Sequence, residues 1–301
     1  MSLDSASATG TRSRVLERLR ATPAPVLVAG LAFVLLFWQP MRTLARDWWS
    51  DPDAGQGLLL GPLAVYLAWR SGLVDATHHS PRTTHRIWGL TILTGAVVLR
   101  YLSGLAAELF TMRLSLLAAA VGLIVFVWGW GQVRRWWLPA VLLLLSIPIP
   151  AVILNTVAFP LQLKASQMGA WLMHARHVPV VLAGNVIHLP GRSLFVTEAC
   201  SGLRSLTALL ALGVLIGGLW LSSTWGRALL VVAAVPVALV LNGLRVFLTG
   251  FLVYYVSPKL GDGFLHLTEG WVIFVIAFAI LGGIGWIVAK GEHTLTTRRP
   301  A

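Results

Sequence analysis

Residues 229–248 read LLVVAAVPVALVLNGLRVFL, a run of twenty positions in which only Arg245 carries a charge. A helix of that length rises about 30 Å, which matches the hydrocarbon core of a bilayer. The rest of the chain has the same character, since 57% of its 301 residues are hydrophobic and 11% are charged, with a mean hydropathy of +0.79. These features predict a polytopic membrane protein.

Apolar runs of this kind predict about eight transmembrane helices, which makes the fold an all-α integral membrane protein. The predicted spans lie near residues 25–44, 57–71, 87–107, 111–130, 137–155, 203–221, 227–252 and 270–289. The second span is the shortest, so it is either a tilted span or a re-entrant segment. Flexible tails are expected at 1–24 and 291–301, on either side of one transmembrane domain over 25–290.

The distribution of basic residues predicts the orientation in the membrane. A net charge of +12 would suggest nucleic-acid binding in a soluble protein. Here the basic residues fall in short segments between apolar runs, and most of them share one side if the spans alternate. Because short basic loops stay in the cytoplasm, both termini are predicted to be cytoplasmic. No nucleic-acid partner is expected.

The one long segment between spans, residues 155–199, is then extracytoplasmic and precedes the sixth span. Its first half predicts an amphipathic helix lying on the membrane surface, from apolar residues at helical spacing: Leu161, Ala165, Met168 and Leu172. Its second half has β-branched residues on either side of Gly184–Asn185, which predicts a small β-hairpin.

The chain has a single cysteine, Cys200, at the outer mouth of the sixth predicted span, with Glu198 and Arg204 beside it. One cysteine excludes an internal disulfide, and no cluster of ligands at metal-binding spacing is present, so neither a metal nor a cofactor is expected. A lone cysteine in an apolar chain is often only a packing residue. At a helix start near an arginine, however, the nucleophilic thiolate form is favoured.

Asn242 and Arg245 share one face of the seventh predicted span, at spacing i, i+3. A charge at that depth is costly toward lipid, so Arg245 is expected to line a cavity that is enclosed by protein or filled with water. Snorkelling of Arg245 to the interface is the alternative. Asn242 either belongs to the same site or is an interhelical hydrogen-bonding group.

His266 lies in the loop before the eighth predicted span, where it is either solvated or a third member of the site. The alternation of spans brings Cys200, Arg245 and His266 to the same outer side. Such a trio can perform acyl transfer, because the thiolate attacks a carbonyl, the imidazole transfers protons and the arginine stabilises the oxyanion.

These residues resemble the exosortase/archaeosortase family of membrane cysteine transpeptidases. The specific part of the resemblance is EACSGLRSL at 198–206 and NGLRV at 242–246, followed by His266. Similarity extends over most of residues 45–290, through GQGLLLGPLAVYLAWR (55–70), SIPIP (146–150), FPLQLKAS (159–166) and GNVIHLP (184–190). Gln56 departs from the family pattern, in which a histidine is expected, and is assigned no role.

The resemblance implies a protein-sorting enzyme of a bacterial or archaeal inner (plasma) membrane. Its expected substrates are membrane-anchored proteins with a C-terminal signal, made of a Pro-Glu-Pro-like (PEP-CTERM) motif, a transmembrane helix and a basic end. Cleavage near the motif through a cysteine thioester would be followed by transfer to an envelope or polysaccharide acceptor. Besides these partners, the protein is expected to contact only the lipid bilayer.

By position in the motifs, the resemblance makes Cys200 the nucleophile, Arg245 the essential arginine and His266 the general acid/base. Arg204, together with Glu198 and Asn242, is expected to bind the substrate or support the site. Two other classes of protein remain open, a polytopic transporter that binds a small anion and a non-catalytic subunit of an envelope-polysaccharide assembly system. A transporter fits less well because no inverted repeat is visible.

Overall fold

The computed structural model describes residues 24–51, 54–73, 83–196, 202–257 and 264–297. This part of the chain is helical except for one small sheet. In chain order, the elements are α1 (Ala24–Leu36), α2 (Trp38–Ser50), α3 (Gly57–Ser71), α4 (Thr83–Leu105), α5 (Leu109–Trp128), α6 (Trp130–Arg135), α7 (Trp137–Leu145), α8 (Ala151–Ala175), β1 (Val181–Ala183), β2 (Val186–Leu189), β3 (Arg192–Phe195), α9 (Gly202–Trp220), α10 (Thr224–Tyr255) and α11 (Phe264–Thr297).

Several helices are long and apolar enough to cross a membrane. Within the described ranges there are four, in α4, α5, α10 and residues 272–294 of α11. The bent pair α1 and α2 would make a fifth. The protein is therefore a multi-pass membrane protein, and the larger number of about eight spans, which includes the shorter helices α3 and α9, stays a prediction.

The first predicted span, 25–44, is not one straight helix. The chain bends by 60° between α1 and α2, with the buried Phe37 at the break. Pro40 explains this position, because it has no N–H to donate to the carbonyl of Leu36 and its ring collides with that carbonyl in a continuous helix.

The fifth predicted span, 137–155, is also interrupted. Helix α7 ends at Leu145, and α8 begins at Ala151. The intervening SIPIP segment contains Pro148 and Pro150, and proline disfavours helical geometry in the residue before it as well as in itself. The apolar run therefore forms two helices rather than one.

The predicted amphipathic helix lies within α8, which packs lengthwise along α10. A Cβ added to Gly169 would lie 2.5 Å from Val246 Cγ1, and Gly250 lies against the sulfur of Met173. From Gly169 to Met173 on α8 the contacts move from Val246 to Gly250 on α10, so the two helices run parallel here. This arrangement differs from the predicted helix lying flat on the membrane surface, because α10 is itself long enough to span.

Residues 181–195 form a three-stranded antiparallel sheet in the order β1-β2-β3. Strands β1 and β2 meet at Gly184–Asn185, with Leu182 opposite Ile187. The sequence predicts only this pair, whereas β3 adds a third strand, with Leu194 opposite Ile187 on the other side. The buried side chains of the sheet pack with Val246 and Val253 of α10, so the sheet covers the C-terminal half of that helix.

The centre of the molecule is formed by α9, α10 and α11. Gly213 and Gly217 of α9 face Leu230 and Arg227 of α10, so these two helices are antiparallel. Gly285 of α11 lies against both of its neighbours. One buried apolar cluster joins the three helices and includes Leu206, Leu241 and Ile273, one from each.

Candidate active site

A polar stripe interrupts the buried face of α10. Asn242 is 8% exposed and Thr249 is 2% exposed, while Arg245 between them is half-buried. The spacing i, i+3, i+7 places the three side chains on one face of the helix. The structure therefore brings the predicted pair Asn242 and Arg245 together, and it adds Thr249. The same periodicity would have found Thr249 from the sequence.

This stripe lies at the junction of two apolar clusters. Leu241, one turn before Arg245, belongs to the cluster that joins α9, α10 and α11. Val246, the residue after Arg245, belongs to the cluster formed with the sheet and α8. The backbone of Arg245 therefore lies between two packed regions of α10, and its side chain is half-buried, as expected of a charge in a span that does not face lipid.

The segment that carries Glu198 and Cys200 lies outside the described residues, but both of its flanks are described. Val196 is 1% exposed and packs in the same cluster as Val246. Leu206, on the other flank, packs in the same cluster as Leu241. The two ends of the segment are thus anchored to α10 on either side of Arg245.

The way in which the central helices pair places the backbones of Arg245 and His266 toward the same end of the molecule. Continuing the antiparallel pairing of α9 with α10 beyond Gly213 and Leu230 brings Gly202, the first residue of α9, level with Leu241, so Arg245 lies about one helical turn beyond that end of α9. In α11, His266 precedes Ile273 by two helical turns. Relative to the layer formed by Leu206, Leu241 and Ile273, the backbone of His266 lies on the same side as Arg245.

For Arg204 and His266 the structure describes the backbone only, in the first turns of α9 and α11. The roles of these two residues, of Glu198 and of Cys200 stay predictions. Across the described ranges, no group of three or more His, Cys, Asp and Glu side chains could hold a metal ion.

Helix α8 brings two further buried polar side chains to its packed face. Ser166 is fully buried, and its hydroxyl donates a hydrogen bond to the carbonyl of Gln162, 2.8 Å away. Gln162 is 8% exposed. Both lie in the FPLQLKAS segment, but the sequence alone gives no reason to bury them, because the helix on which α8 packs, α10, lies far along the chain.

Two hydrogen bonds join the region of α2 and α3 to later parts of the chain, one at the start of α9 and one at the end of α7. The hydroxyl of Thr207 donates to Gln56 Oε1, 3.3 Å away. The indole of Trp48 packs over Gly57 and Gly61, and its Nε1 donates to the carbonyl of Ser146 at 2.8 Å. The sequence assigns Gln56 no role, whereas in the structure it links the start of α3 to α9.

Comparisons with known proteins give one result that fits this architecture. The model of a protein family described as transmembrane exosortase (Exosortase_EpsH) matches residues 48–283. No curated protein matches the chain, and no solved structure does. The matched region begins at Trp48 and contains α3 to α10, the sheet and most of α11. Because this match covers well over half of the sequence, the chain belongs to the transmembrane exosortase family.

Proposed function

We propose that this protein is a membrane cysteine transpeptidase that processes C-terminal sorting signals of exported proteins. Its substrates would carry a Pro-Glu-Pro-like motif followed by a transmembrane helix and a basic end. The site would face the extracytoplasmic side, and the product would be joined to an envelope or polysaccharide acceptor. Membership of the exosortase family supports sorting-signal processing in general.

The chemistry follows from three side chains. The thiolate of Cys200 attacks the carbonyl carbon of the scissile peptide bond, and Arg245 stabilises the oxyanion that forms. His266, as imidazolium, gives its proton to the leaving amine, and the C–N bond breaks to leave a thioester on Cys200. The neutral imidazole then takes a proton from the incoming nucleophile, which attacks the thioester and restores the thiolate.

The observation that carries this proposal is the position of Arg245 between the two anchored flanks of the Cys200 segment. Val196 and Leu206 belong to the clusters on either side of Arg245. In sequence, Cys200 follows Val196 by four positions and precedes Leu206 by six, so the thiol belongs to the segment between these two flanks. An acyl-transfer site requires a nucleophilic thiol close to a group that stabilises the oxyanion, and we propose this relation for Cys200 and Arg245.

The placement of the site also suits a substrate that is itself anchored in the membrane. A transmembrane helix next to the cleavage motif fixes the depth of the scissile bond, so lateral diffusion alone brings it to the enzyme. Arg204 and Arg245 would bind the acidic residue of the motif, since guanidinium groups pair with carboxylates through two parallel hydrogen bonds.

The proposal is tested by replacing the nucleophile. A reporter protein with the sorting signal is co-expressed with the wild-type protein or with Cys200→Ala, and the loss of its C-terminal segment is followed by a change in gel mobility. We expect processing by the wild type and none by the variant, at equal amounts of the two proteins in the membrane. Undiminished processing by Cys200→Ala would overturn the proposal, because a scaffold or transporter does not need the thiol.

A further inference from the structure

We propose that Gln56 is a positioning residue of this site, which acts through its hydrogen bond to Thr207 by holding the first turns of α9 in place. The inference rests on the proposed function, because it assigns a role relative to Cys200 and Arg204. It starts from a contact between residues that are 151 positions apart, in which the Thr207 hydroxyl donates to Gln56 Oε1.

The position of Thr207 shows which part of α9 this hydrogen bond restrains. Thr207 lies one helical turn after Arg204, so the two positions are neighbours on one face of α9. Cys200 precedes the first residue of that helix by two positions. A bond made at Thr207 therefore restrains the first turns of α9, which include Arg204 and follow Cys200 in the sequence, rather than the middle or the far end of the helix.

Gln56 is itself held rigidly by its surroundings. Its carbonyl accepts backbone hydrogen bonds from Leu59 and Leu60, at 3.1 Å and 3.0 Å, so it begins α3. The next residue, Gly57, lies directly against the indole of Trp48. Trp48 is in turn hydrogen-bonded to the carbonyl of Ser146, at the end of α7. The amide of Gln56 is thus a fixed point to which α9 can be attached.

Helix α2, which carries Trp48, is in turn connected to α5 by an ion pair. Asp47, the neighbour of Trp48 on α2, accepts a hydrogen bond of 2.6 Å from Arg113. The side chain of Arg113 is 3% exposed and that of Asp47 is 29% exposed, and such a partly buried ion pair fixes geometry more than it adds stability. A continuous set of contacts, from α5 through α2 and α3, therefore ends at Thr207 on α9.

The two partners are changed separately and together. Gln56→Ala and Thr207→Val each remove the hydrogen bond. The double variant Gln56→Ala/Thr207→Val removes the same single bond, so its loss of processing activity should be no larger than that of either single variant. Gln56→Glu and Thr207→Ser keep the accepting oxygen and the donating hydroxyl. Processing of the reporter should fall about three- to tenfold in the first three variants, as expected for one hydrogen bond, and stay near wild type in the last two.

The second readout is the pH dependence of alkylation of Cys200 by a small maleimide, which needs no substrate. Because Cys200 is the one thiol of the chain, the rate reports on this residue alone. We expect the midpoint to move to higher pH in Gln56→Ala and Thr207→Val, by the same amount, and to return in Thr207→Ser. The matched control is Gln132→Ala, which removes a glutamine hydrogen bond to the carbonyl of Gly72 near the other end of α3.

The control should lower the melting temperature without moving the alkylation midpoint. If Gln56→Ala and Thr207→Val behave like the control, the bond is only structural and the inference is overturned. Should either variant fail to fold, Thr207→Ser decides, since it keeps both the hydroxyl and the net charge, and an alkylation midpoint different from that of wild type would contradict the inference. Failure of the proposed function is seen separately, as processing that survives Cys200→Ala.

Discussion

Arg245 combines a permanent charge with a place on the buried face of α10, between two apolar clusters. A lysine at this position would keep the charge but lose the planar fork that forms two parallel hydrogen bonds. We therefore expect Arg245→Lys to process the reporter at least about 100-fold more slowly, as when one oxyanion donor is removed. The measurement is the rate of processing at equal amounts of membrane-inserted protein.

Arg227 on the same helix provides the control for this substitution. Its guanidinium lies 4.8 Å from the ring centroid of Trp137, and its Nε donates to the carbonyl of Leu221. Arg227→Lys should process the reporter nearly as fast as the wild type, because this arginine lies about five helical turns from Arg245. Equal rates for Arg245→Lys and wild type would reduce Arg245 to a generic positive charge.

At the scale of single residues, the sequence predicts what depends on local spacing. Asn242 and Arg245 can be placed on one helix face from their numbers alone, and Thr249 could have been added in the same way. The contact between Gln56 and Thr207 could not be predicted, because it depends on how α3 packs on a helix 151 positions further along the chain.

Close packing of α8 on α10 sets the position of Val246 and, with it, that of Arg245. A Cβ at Gly169 would lie 2.5 Å from Val246 Cγ1 and 2.8 Å from its Cβ, and a β-branched side chain cannot swing away. Gly169→Ala should therefore lower the free energy of unfolding by about 1–3 kcal/mol, as overpacking does. Thermal unfolding of the purified protein in detergent measures the loss.

Two further variants make this prediction specific. Gly283→Ala in α11 meets no atom within 4 Å, so it should leave the melting temperature unchanged or raise it slightly. In Gly169→Ala/Val246→Ala the colliding methyl groups are removed, and part of the lost stability should return. An unaltered melting temperature in Gly169→Ala would show that α8 and α10 are not in close contact.

The start of α5 provides a pH-dependent element. Glu108 accepts hydrogen bonds from the backbone N–H groups of Phe110 and Thr111, at 3.0 Å and 2.7 Å. The hydroxyl of Thr111 also donates to it, and this bond is the largest cause of a pKa lowered from the ordinary value of 4.5. The two backbone bonds and the charge of Arg113 act in the same direction, whereas burial opposes them.

Because the pKa of Glu108 is lower in the folded state, its ionised carboxylate stabilises the protein at pH values above 4.5, the ordinary pKa of a glutamate. This contribution is lost as the pH falls from that value through the folded-state pKa. Glu108→Gln should therefore melt below wild type near neutral pH, and the difference should shrink in acid. A difference in melting temperature that stays constant from neutral to acidic pH would contradict the assignment of Glu108 as a charged helix cap.

At the scale of elements, the apolar runs predict the long helices to within a few residues, as α4, α5 and α10 show. The interrupted runs were harder to predict. Hydropathy is continuous across Phe37 and across SIPIP, and only the prolines signal that one run becomes two helices. Strand β3 was missed because RSLF shows no alternation that would distinguish it from a loop.

For the whole molecule, the positive-inside rule predicts that both termini are cytoplasmic and that Cys200 faces outward. A membrane-impermeant maleimide added to intact cells, with the outer envelope made permeable where one is present, should label Cys200. In the Cys200→Ala background, Ser2→Cys should be labelled only after the cytoplasmic membrane is opened. Labelling of Ser2→Cys in intact cells, with Cys200 labelled only after the membrane is opened, would show that the topology is the reverse of the predicted one and that the proposed site faces the cytoplasm.

If Cys200 is the nucleophile, it forms a covalent bond to the substrate during each turnover, and this bond can be trapped. Purified protein in lipid vesicles is mixed with a substrate carrying the sorting signal, quenched in acid, digested and analysed by mass spectrometry. We predict a Cys200 peptide that carries the new carboxyl end of the substrate as a thioester, which neutral hydroxylamine removes. Cleavage of the substrate with Cys200 unmodified at every time point, and equally fast in Cys200→Ala, would contradict the account.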